Sequence, residues 1–189
     1  MTARIAPLPS TGNPAHLQEM LDYGTAGTGG ASNVFLTLAK NPELFVRWLA
    51  FSAEPYTEGR LAPRQRELLI LRTAWRCQSD YEWGQHVRMG RAAGLTEEEI
   101  GGVADHLDPW GWPPLDEALL RVVDELVADH VVAPPTWETL ARHLDEPQLI
   151  EVLMVVGNYI GLAGFLNAVG VELEAGVTGL PSARRENHQ

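Results

Sequence analysis

Three ionisable side chains, Glu67, Glu82 and His86, fall where the sequence pattern calls for core residues. On a helical projection of about 100° per residue, Glu67 lies at the centre of an apolar arc, and Glu82 and His86 lie on the inward arc of the next helix. An unpaired charge in an apolar medium costs several kcal/mol or shifts its pKa until the group is neutral. We therefore expect these groups to be paired with one another or to take part in chemistry.

An imidazole beside carboxyl groups is suited to general acid–base catalysis. His86 would deliver or accept a proton, and either Glu82, one helical turn away, or Glu67, on the preceding helix, would set its tautomer. Two structural interpretations stay open: a buried Glu–His pair that only satisfies its own charges, and a capping box between Ser79 and Glu82. Two carboxylates and an imidazole would also be enough ligands for a divalent metal ion, although nothing else in the sequence demands one.

Four neighbouring residues complete the candidate site. Cys77 is the only cysteine of the chain, which excludes an intramolecular disulfide and a multi-cysteine zinc site. A lone cysteine is most often a small buried hydrophobe, but a reactive Cys77 thiolate stays an alternative. We group Tyr81 with the catalytic candidates, and we expect Ser79 and Trp83 to contact the substrate.

The stretch from Glu67 to Leu95 reads as two helices with a tight break near Gln78 and Ser79. On the first helix, the projection places a set of polar residues on the outward side: Arg66, Arg72, Thr73 and Arg76. The two helices must pack as a hairpin if all three ionisable groups are to meet. No segment shows the alternation or the turns typical of strands, so the predicted fold class is all-α.

Three regions are predicted along the chain: an N-terminal arm (1–12), a helical domain (13–175) and a flexible tail (176–189). The stretch from Gln148 to Leu173 is nearly all apolar, and its part from Val152 to Val171 approaches bilayer length. Its flanking acidic residues, Glu151 and Glu172, are not those of a membrane span. We therefore predict a fully buried helix.

The composition excludes several classes of partner. The chain has 189 residues, with 25 acidic against 14 basic side chains and a net charge of −11. Nucleic acids and anionic membranes both attract excess positive charge, so neither is expected as a partner. The N-terminus lacks the basic and apolar blocks of a signal peptide, from which we expect a cytoplasmic location.

Four runs, NVFLTLAKNPELF, LAPRQRELLILRTAW, YEWGQH and RAAGLTEEEI, occur in this order. Together they resemble the carboxymuconolactone decarboxylase family, which includes the alkylhydroperoxidase D (AhpD) branch. The likeness is close over 33–103 and looser as far as Gly170. It implies an all-helical, AhpD-like domain that assembles as trimers or hexamers, with sites for a small-molecule substrate near the subunit contacts.

The active pattern of the AhpD branch is a Glu, then twelve residues later a Cys-x-x-Cys, then a His four residues past the second Cys. Glu67 and His86 match that spacing. The two cysteine positions fall on Ser79 and Glu82, and the position between them that often carries a His is Tyr81. The redox dithiol is absent, so a dithiol peroxidase of the AhpD type is not expected.

The resemblance to the decarboxylase branch implies an enzyme that acts on a small organic acid or lactone without a cofactor. Glu67, Glu82 and His86 would supply the acid–base chemistry. From a neighbouring subunit, guanidinium groups could attract an anionic substrate, although surface solvation is the alternative for each: Arg72, Arg76 and Arg88. Two other functions stay open, a peroxidase that uses the single Cys77 and a non-catalytic oligomeric protein that binds small molecules.

Overall fold

The computed structural model describes residues 3–25, 32–104 and 111–181. Within these residues the chain forms nine α-helices and no strand, so the all-α prediction is confirmed. The helices are α1 (Ala15–Thr25), α2 (Asn33–Leu38), α3 (Pro42–Thr57), α4 (Pro63–Arg76), α5 (Asp80–Ala92), α6 (Glu97–Val103), α7 (Pro114–Asp129), α8 (Pro134–His143) and α9 (Glu146–Val169).

Helix α4 is the centre of the fold. It packs against α5, α6, α7 and α9, and its residues from Arg66 to Trp75 are all buried. The prediction of an outward polar side on this helix was therefore wrong for Arg66, Arg72 and Thr73. A helix that is enclosed on every side has no solvent face, and its polar groups must find partners inside the protein. Thr73 does so by donating its hydroxyl hydrogen to the backbone oxygen of Leu69, at 2.8 Å.

The two arginines near the end of α4 are held in ion pairs. Arg72 donates from Nε and Nη2 to the carboxylate of Asp124, at 2.8 and 2.7 Å, and from Nη1 to the backbone oxygen of Val103 at 2.6 Å. Arg76 contacts the same carboxylate at 2.9 Å. Both arginines already pair with Asp124, and surface solvation does not apply to Arg72, which is buried; the attraction of a substrate from a neighbouring subunit stays a prediction. Arg88 is exposed on α5.

The break between α4 and α5 lies where the sequence predicts it. Cys77 caps the end of α4, Gln78 adopts a left-handed φ of 54°, and Ser79 is the N-cap of α5. The backbone N–H of Glu82 donates to the Ser79 hydroxyl oxygen at 3.4 Å. The return half of a capping box does not form, since the Glu82 carboxyl has no hydrogen-bond partner among the described residues. The cap therefore does not explain why the residue at 82 is acidic.

Helix α9 is buried along one face only. Ile150 is 62% exposed and Met154 is 50% exposed, so the prediction of a fully buried helix was wrong for the single chain. Among the described residues, α9 is long and apolar enough to cross a membrane. In its most apolar stretch of 18 residues, 39% is buried inside the protein. The core helix of a soluble protein passes the same test.

The chain ends of the described part pack against the helices. Near the N-terminus, the N–H groups of Arg4 and Leu8 donate to the backbone oxygens of Val169 and Leu36, at 2.7 and 3.1 Å. Beyond α9, residues 171–181 run along α5, where the N–H of Leu180 donates to the carboxylate of Asp80 at 3.0 Å. The rest of the predicted tail, 182–189, lies outside the described residues.

Candidate active site

A cavity of about 390 Å³ lies between α3, α5 and α9, and both Glu82 and His86 line it. The remaining lining side chains are mostly apolar or aromatic: Ser32, Val34, Phe35, Trp48, Leu49, Ser52, Ala53, Tyr56, Thr57, Tyr81, Gln85, Met89, Tyr159, Leu162 and Leu166. A concave, mainly apolar space with a few convergent polar groups is typical of a small-molecule site.

His86 is paired with Glu67 and not with Glu82. Its Nδ1 lies 2.8 Å from Oε2 of Glu67, which is 1% exposed, so the buried partner comes from the neighbouring helix α4. A carboxylate can only accept a hydrogen bond, so Nδ1 carries the proton and Nε2 is the ring nitrogen left for a molecule in the cavity. On its other oxygen, Glu67 meets Nε of Arg66 at 3.4 Å.

Two tyrosines enclose the imidazole. The ring of His86 meets the ring of Tyr159 edge-on, with centroids 5.0 Å apart, and the hydroxyl groups of Tyr159 and Tyr56 lie 2.7 Å from each other. Arg66 stacks over the Tyr56 ring at 3.9 Å. Burial raises the pKa of both tyrosines, so they stay protonated at neutral pH.

Glu82 is buried without a partner. It is 2% exposed, and neither carboxyl oxygen accepts or donates a hydrogen bond within the part of the chain that the structure describes. Burial raises the pKa of Glu82 to about 8, and the Ser79 hydroxyl only partly offsets this. The side chain is therefore a neutral carboxylic acid at pH 7, with a hydrogen to donate beside the cavity.

Tyr81 lies on the cavity wall, and a residue from the segment after α9 holds it there. The Tyr81 hydroxyl donates to Oε1 of Glu174 at 2.6 Å and lies 2.9 Å from Oγ of Ser32. Glu174 also accepts hydrogen bonds from Gln85 and from the N–H of Asn33. Sequence reasoning missed Glu174, because no periodicity or motif marks it. Burial, followed by the Glu174 hydrogen bond, raises the pKa of Tyr81.

The other predicted site residues lie away from the cavity. Trp83 packs against Trp75 in the core, with ring centroids 5.8 Å apart. Ser79 is enclosed as the N-cap of α5. Cys77 is half-buried, and burial raises its pKa to about 11. Cys77, Ser79 and Trp83 are not part of the cavity wall, as far as described residues form it.

A set of ligands for a divalent metal ion, the alternative that the sequence leaves open, is absent from residues 3–25, 32–104 and 111–181. No group of three His, Cys, Asp or Glu side chains there is arranged to hold a metal ion. One imidazole and two carboxyl groups are present near the cavity, but only Glu67 and His86 touch each other. The contact between them is a hydrogen bond of ordinary length.

The matches to known proteins agree with this architecture. The family model for the carboxymuconolactone decarboxylase family matches residues 42–125, which run from the first residue of α3 into α7 and include the α4–α5 pair. Over this stretch the chain is similar to the carboxymuconolactone decarboxylase family. At the two thiol positions of the AhpD pattern, this chain carries Ser79 and Glu82. No protein of curated function matches the chain.

Three solved structures illustrate how far the fold extends beyond the family match. A peroxidase-related protein with an AhpD core from Ralstonia eutropha JMP134 has 21% identity and a TM-score of 0.77, with 90% of this chain and 93% of that one covered. A peroxidase-related protein from Silicibacter sp. TM1040 has 14% identity and a TM-score of 0.78, with 93% and 94% covered. A debrominase in complex with 2,3,4-tribromopyrrole has 14% identity and a TM-score of 0.77, with 93% and 94% covered. At these identities the likeness is one of fold.

Proposed function

We propose that this protein is a member of the carboxymuconolactone decarboxylase family and a proton-transfer enzyme that acts on a small carbonyl compound, with a lactone as the class that fits best. One observation carries the proposal: His86, which is hydrogen-bonded to the buried Glu67, and the buried Glu82, which has no described hydrogen-bond partner, line the same cavity. A base and a proton donor at one cavity are what acid–base catalysis near neutral pH requires, and the raised pKa of Glu82 suits it to donate.

The proposed step is enolisation. Nε2 of His86 removes a proton from the carbon next to the carbonyl group, and Glu67 stabilises the resulting imidazolium through Nδ1. The electron pair of the broken C–H bond moves to the carbonyl oxygen, which accepts the proton of Glu82. When the imidazolium returns its proton to another carbon of the conjugated system, the oxygen gives its proton back to Glu82. The product is an isomer, and no proton is gained or lost.

The cavity supports a lactone better than an organic acid, since no lysine or arginine is among the lining residues that the structure describes. It also supports proton transfer better than peroxide reduction. A peroxidase needs a thiolate at the substrate, whereas Cys77 lies off the described wall and its pKa is raised to about 11. Alkylation of Cys77 should therefore leave turnover unchanged.

The test uses α-angelica lactone, whose ring methylene between the carbonyl and the double bond is readily enolised. In D₂O, the purified protein should speed the exchange of these protons and the appearance of the conjugated isomer, both followed by proton NMR. His86→Asn should lower the enzyme-dependent rate by at least about a hundredfold, since a positioned base contributes roughly 10²–10⁴.

Two controls make the result decisive. His143→Asn changes an imidazole at the end of α8, away from the cavity, and should keep full activity. The melting temperature of His86→Asn should stay close to that of the wild type. A fully active His86→Asn protein would overturn the proposal. A wild-type protein that binds the lactone without accelerating exchange would favour the non-catalytic binder.

A further inference from the structure

We infer that this cavity selects uncharged ring compounds that present a hydrogen-bond acceptor to Glu82, and that it rejects carboxylates of the same size. The inference rests on the proposed function in one respect, that the cavity holds the substrate. It narrows the substrate class from lactones and organic acids to neutral molecules. Three properties of the cavity support it: the charges around the wall, the hydrogen bonds that its polar groups already make, and its size.

The charges around the cavity are unfavourable for an anion. Among the described lining residues none is a lysine or an arginine. The guanidinium of Arg66 stacks on the ring of the lining residue Tyr56, and it already contacts Glu67 and the backbone oxygen of Pro55. The carboxylate of Glu174 adds negative charge at the wall through Tyr81. A buried anion without a compensating cation is strongly disfavoured.

Most polar groups on the wall are already used by the protein. Trp48 donates from Nε1 to Asn158 at 3.1 Å, and the same Asn158 donates to the hydroxyl oxygen of Ser52 at 2.8 Å. The hydroxyl groups of Tyr56 and Tyr159 satisfy each other. A bound molecule therefore meets mainly ring faces and methyl groups.

Glu82 and His86 each keep a polar group for a ligand. Glu82 is buried with no partner among the described residues, and Nε2 of His86 is left once Nδ1 bonds to Glu67. A buried carboxylic acid that lacks an acceptor costs about 1–3 kcal/mol, and a ligand oxygen placed against it would remove that cost. One donor and one neighbouring imidazole fit a carbonyl group flanked by a weakly acidic C–H bond.

The size of the cavity fits a molecule of one or two rings. A dry apolar cavity of roughly 150 Å³ holds benzene, and this cavity encloses about 390 Å³. Aromatic walls at Phe35, Trp48 and Tyr159 favour flat ligands, because stacked and edge-on ring contacts each contribute about 0.5–1.5 kcal/mol beyond burial.

The test compares phthalide with its ring-opened form, 2-(hydroxymethyl)benzoate, by isothermal titration calorimetry at pH 7. The two ligands share one skeleton and differ in charge. Phthalide has no hydrogen on the carbon next to its carbonyl group and cannot enolise, so its binding reports on the cavity even if the proposed reaction is wrong. We expect phthalide to bind at least tenfold more tightly. Equal or tighter binding of the carboxylate, or no binding of phthalide, would overturn the inference.

The pH dependence of phthalide binding isolates the contribution of Glu82. The ionisable groups whose pKa Glu82 affects are Cys77, at the end of α4, and Tyr159 on α9, and His86 lies one turn further along its own helix. Ionisation of Glu82 near pH 8 removes its donor, so the affinity of the wild type for phthalide should fall about tenfold between pH 7 and pH 9. Glu82→Gln keeps a donor at every pH and should show no such fall. An equal fall in the affinity of Glu82→Gln for phthalide would overturn the role of Glu82. The comparison of the two ligands uses the wild type alone and does not depend on this variant.

Discussion

Two carboxyl groups with almost the same burial differ in their partners. Glu67 is 1% exposed and contacts both Arg66 and His86, whereas Glu82 is 2% exposed and neither of its carboxyl oxygens has a hydrogen-bond partner among the described residues. Burial without such a partner disfavours the charged form, and it raises the pKa of Glu82 to about 8. The comparison shows that partners, and not depth, distinguish the two buried acids.

The difference separates the roles of the two groups. Glu67 orients the ring of His86 through Nδ1, and Glu82, whose pKa is raised to about 8, keeps a hydrogen for a ligand at pH 7. The two come from adjacent helices, and the tight break at Gln78 brings those helices together. Replacing Glu67 and replacing Glu82 should therefore affect stability and turnover differently. Three substitutions follow, from the largest expected effect to the smallest.

Glu67→Gln should have the largest effect. It removes the negative partner of Arg66 and the acceptor that orients His86, so we expect a loss of about 3 kcal/mol of unfolding free energy and a fall in turnover of about a hundredfold. Urea unfolding and the α-angelica lactone exchange assay measure the two quantities. Glu97→Gln is the control, because Glu97 pairs with Arg91 on the exposed surface and should leave both nearly unchanged. A Glu67→Gln protein as stable and active as the control would contradict the account.

Glu82→Gln should change how stability depends on pH. In the unfolded chain Glu82 ionises near its usual pKa of 4.5, and in the folded chain near 8. Between these values the folded state holds one proton more than the unfolded state, so unfolding free energy falls as pH rises. From pH 5 to pH 8 the wild type should lose up to about 1.4 kcal/mol per pH unit relative to Glu82→Gln. Parallel stability curves for the two proteins would show that Glu82 is ionised in the fold.

Glu174→Gln should have the smallest effect. The carboxylate of Glu174 accepts hydrogen bonds from Tyr81, from Gln85 and from the N–H of Asn33, and the substitution removes its charge but keeps its shape. We expect the unfolding free energy to fall by about 1 kcal/mol, and the hydrogen bond that positions Tyr81 to weaken. Glu172→Gln is the matched control, since this neighbouring side chain is exposed. Thermal unfolding of the two variants should separate them. Equal melting temperatures would mean that Glu174 does not support the cavity wall.

The sequence predicted the local features of the site well. The break at Gln78 and the inward placement of Glu67, Glu82 and His86 follow from helical periodicity and capping preferences, which act over a few residues. The all-α fold follows from the same patterns. These features need no knowledge of the tertiary structure.

Features that depend on distant parts of the chain could not be predicted. The choice of Glu67 over Glu82 as the partner of His86 depends on how α4 and α5 pack. Arg72 is buried because Asp124 on α7 neutralises it, and helical periodicity alone placed this arginine in solvent. Glu174 reaches Tyr81 across 93 residues of sequence, which no local pattern encodes.

The protonation state of Glu82 is the central claim, and infrared difference spectroscopy measures it directly. A wild-type spectrum minus that of Glu82→Gln at pH 7 should contain the carbonyl stretch of a protonated carboxylic acid, which should disappear as the pH is raised through about 8. A carboxylate signal from Glu82 already present at pH 6, with no change up to pH 9, would contradict the account.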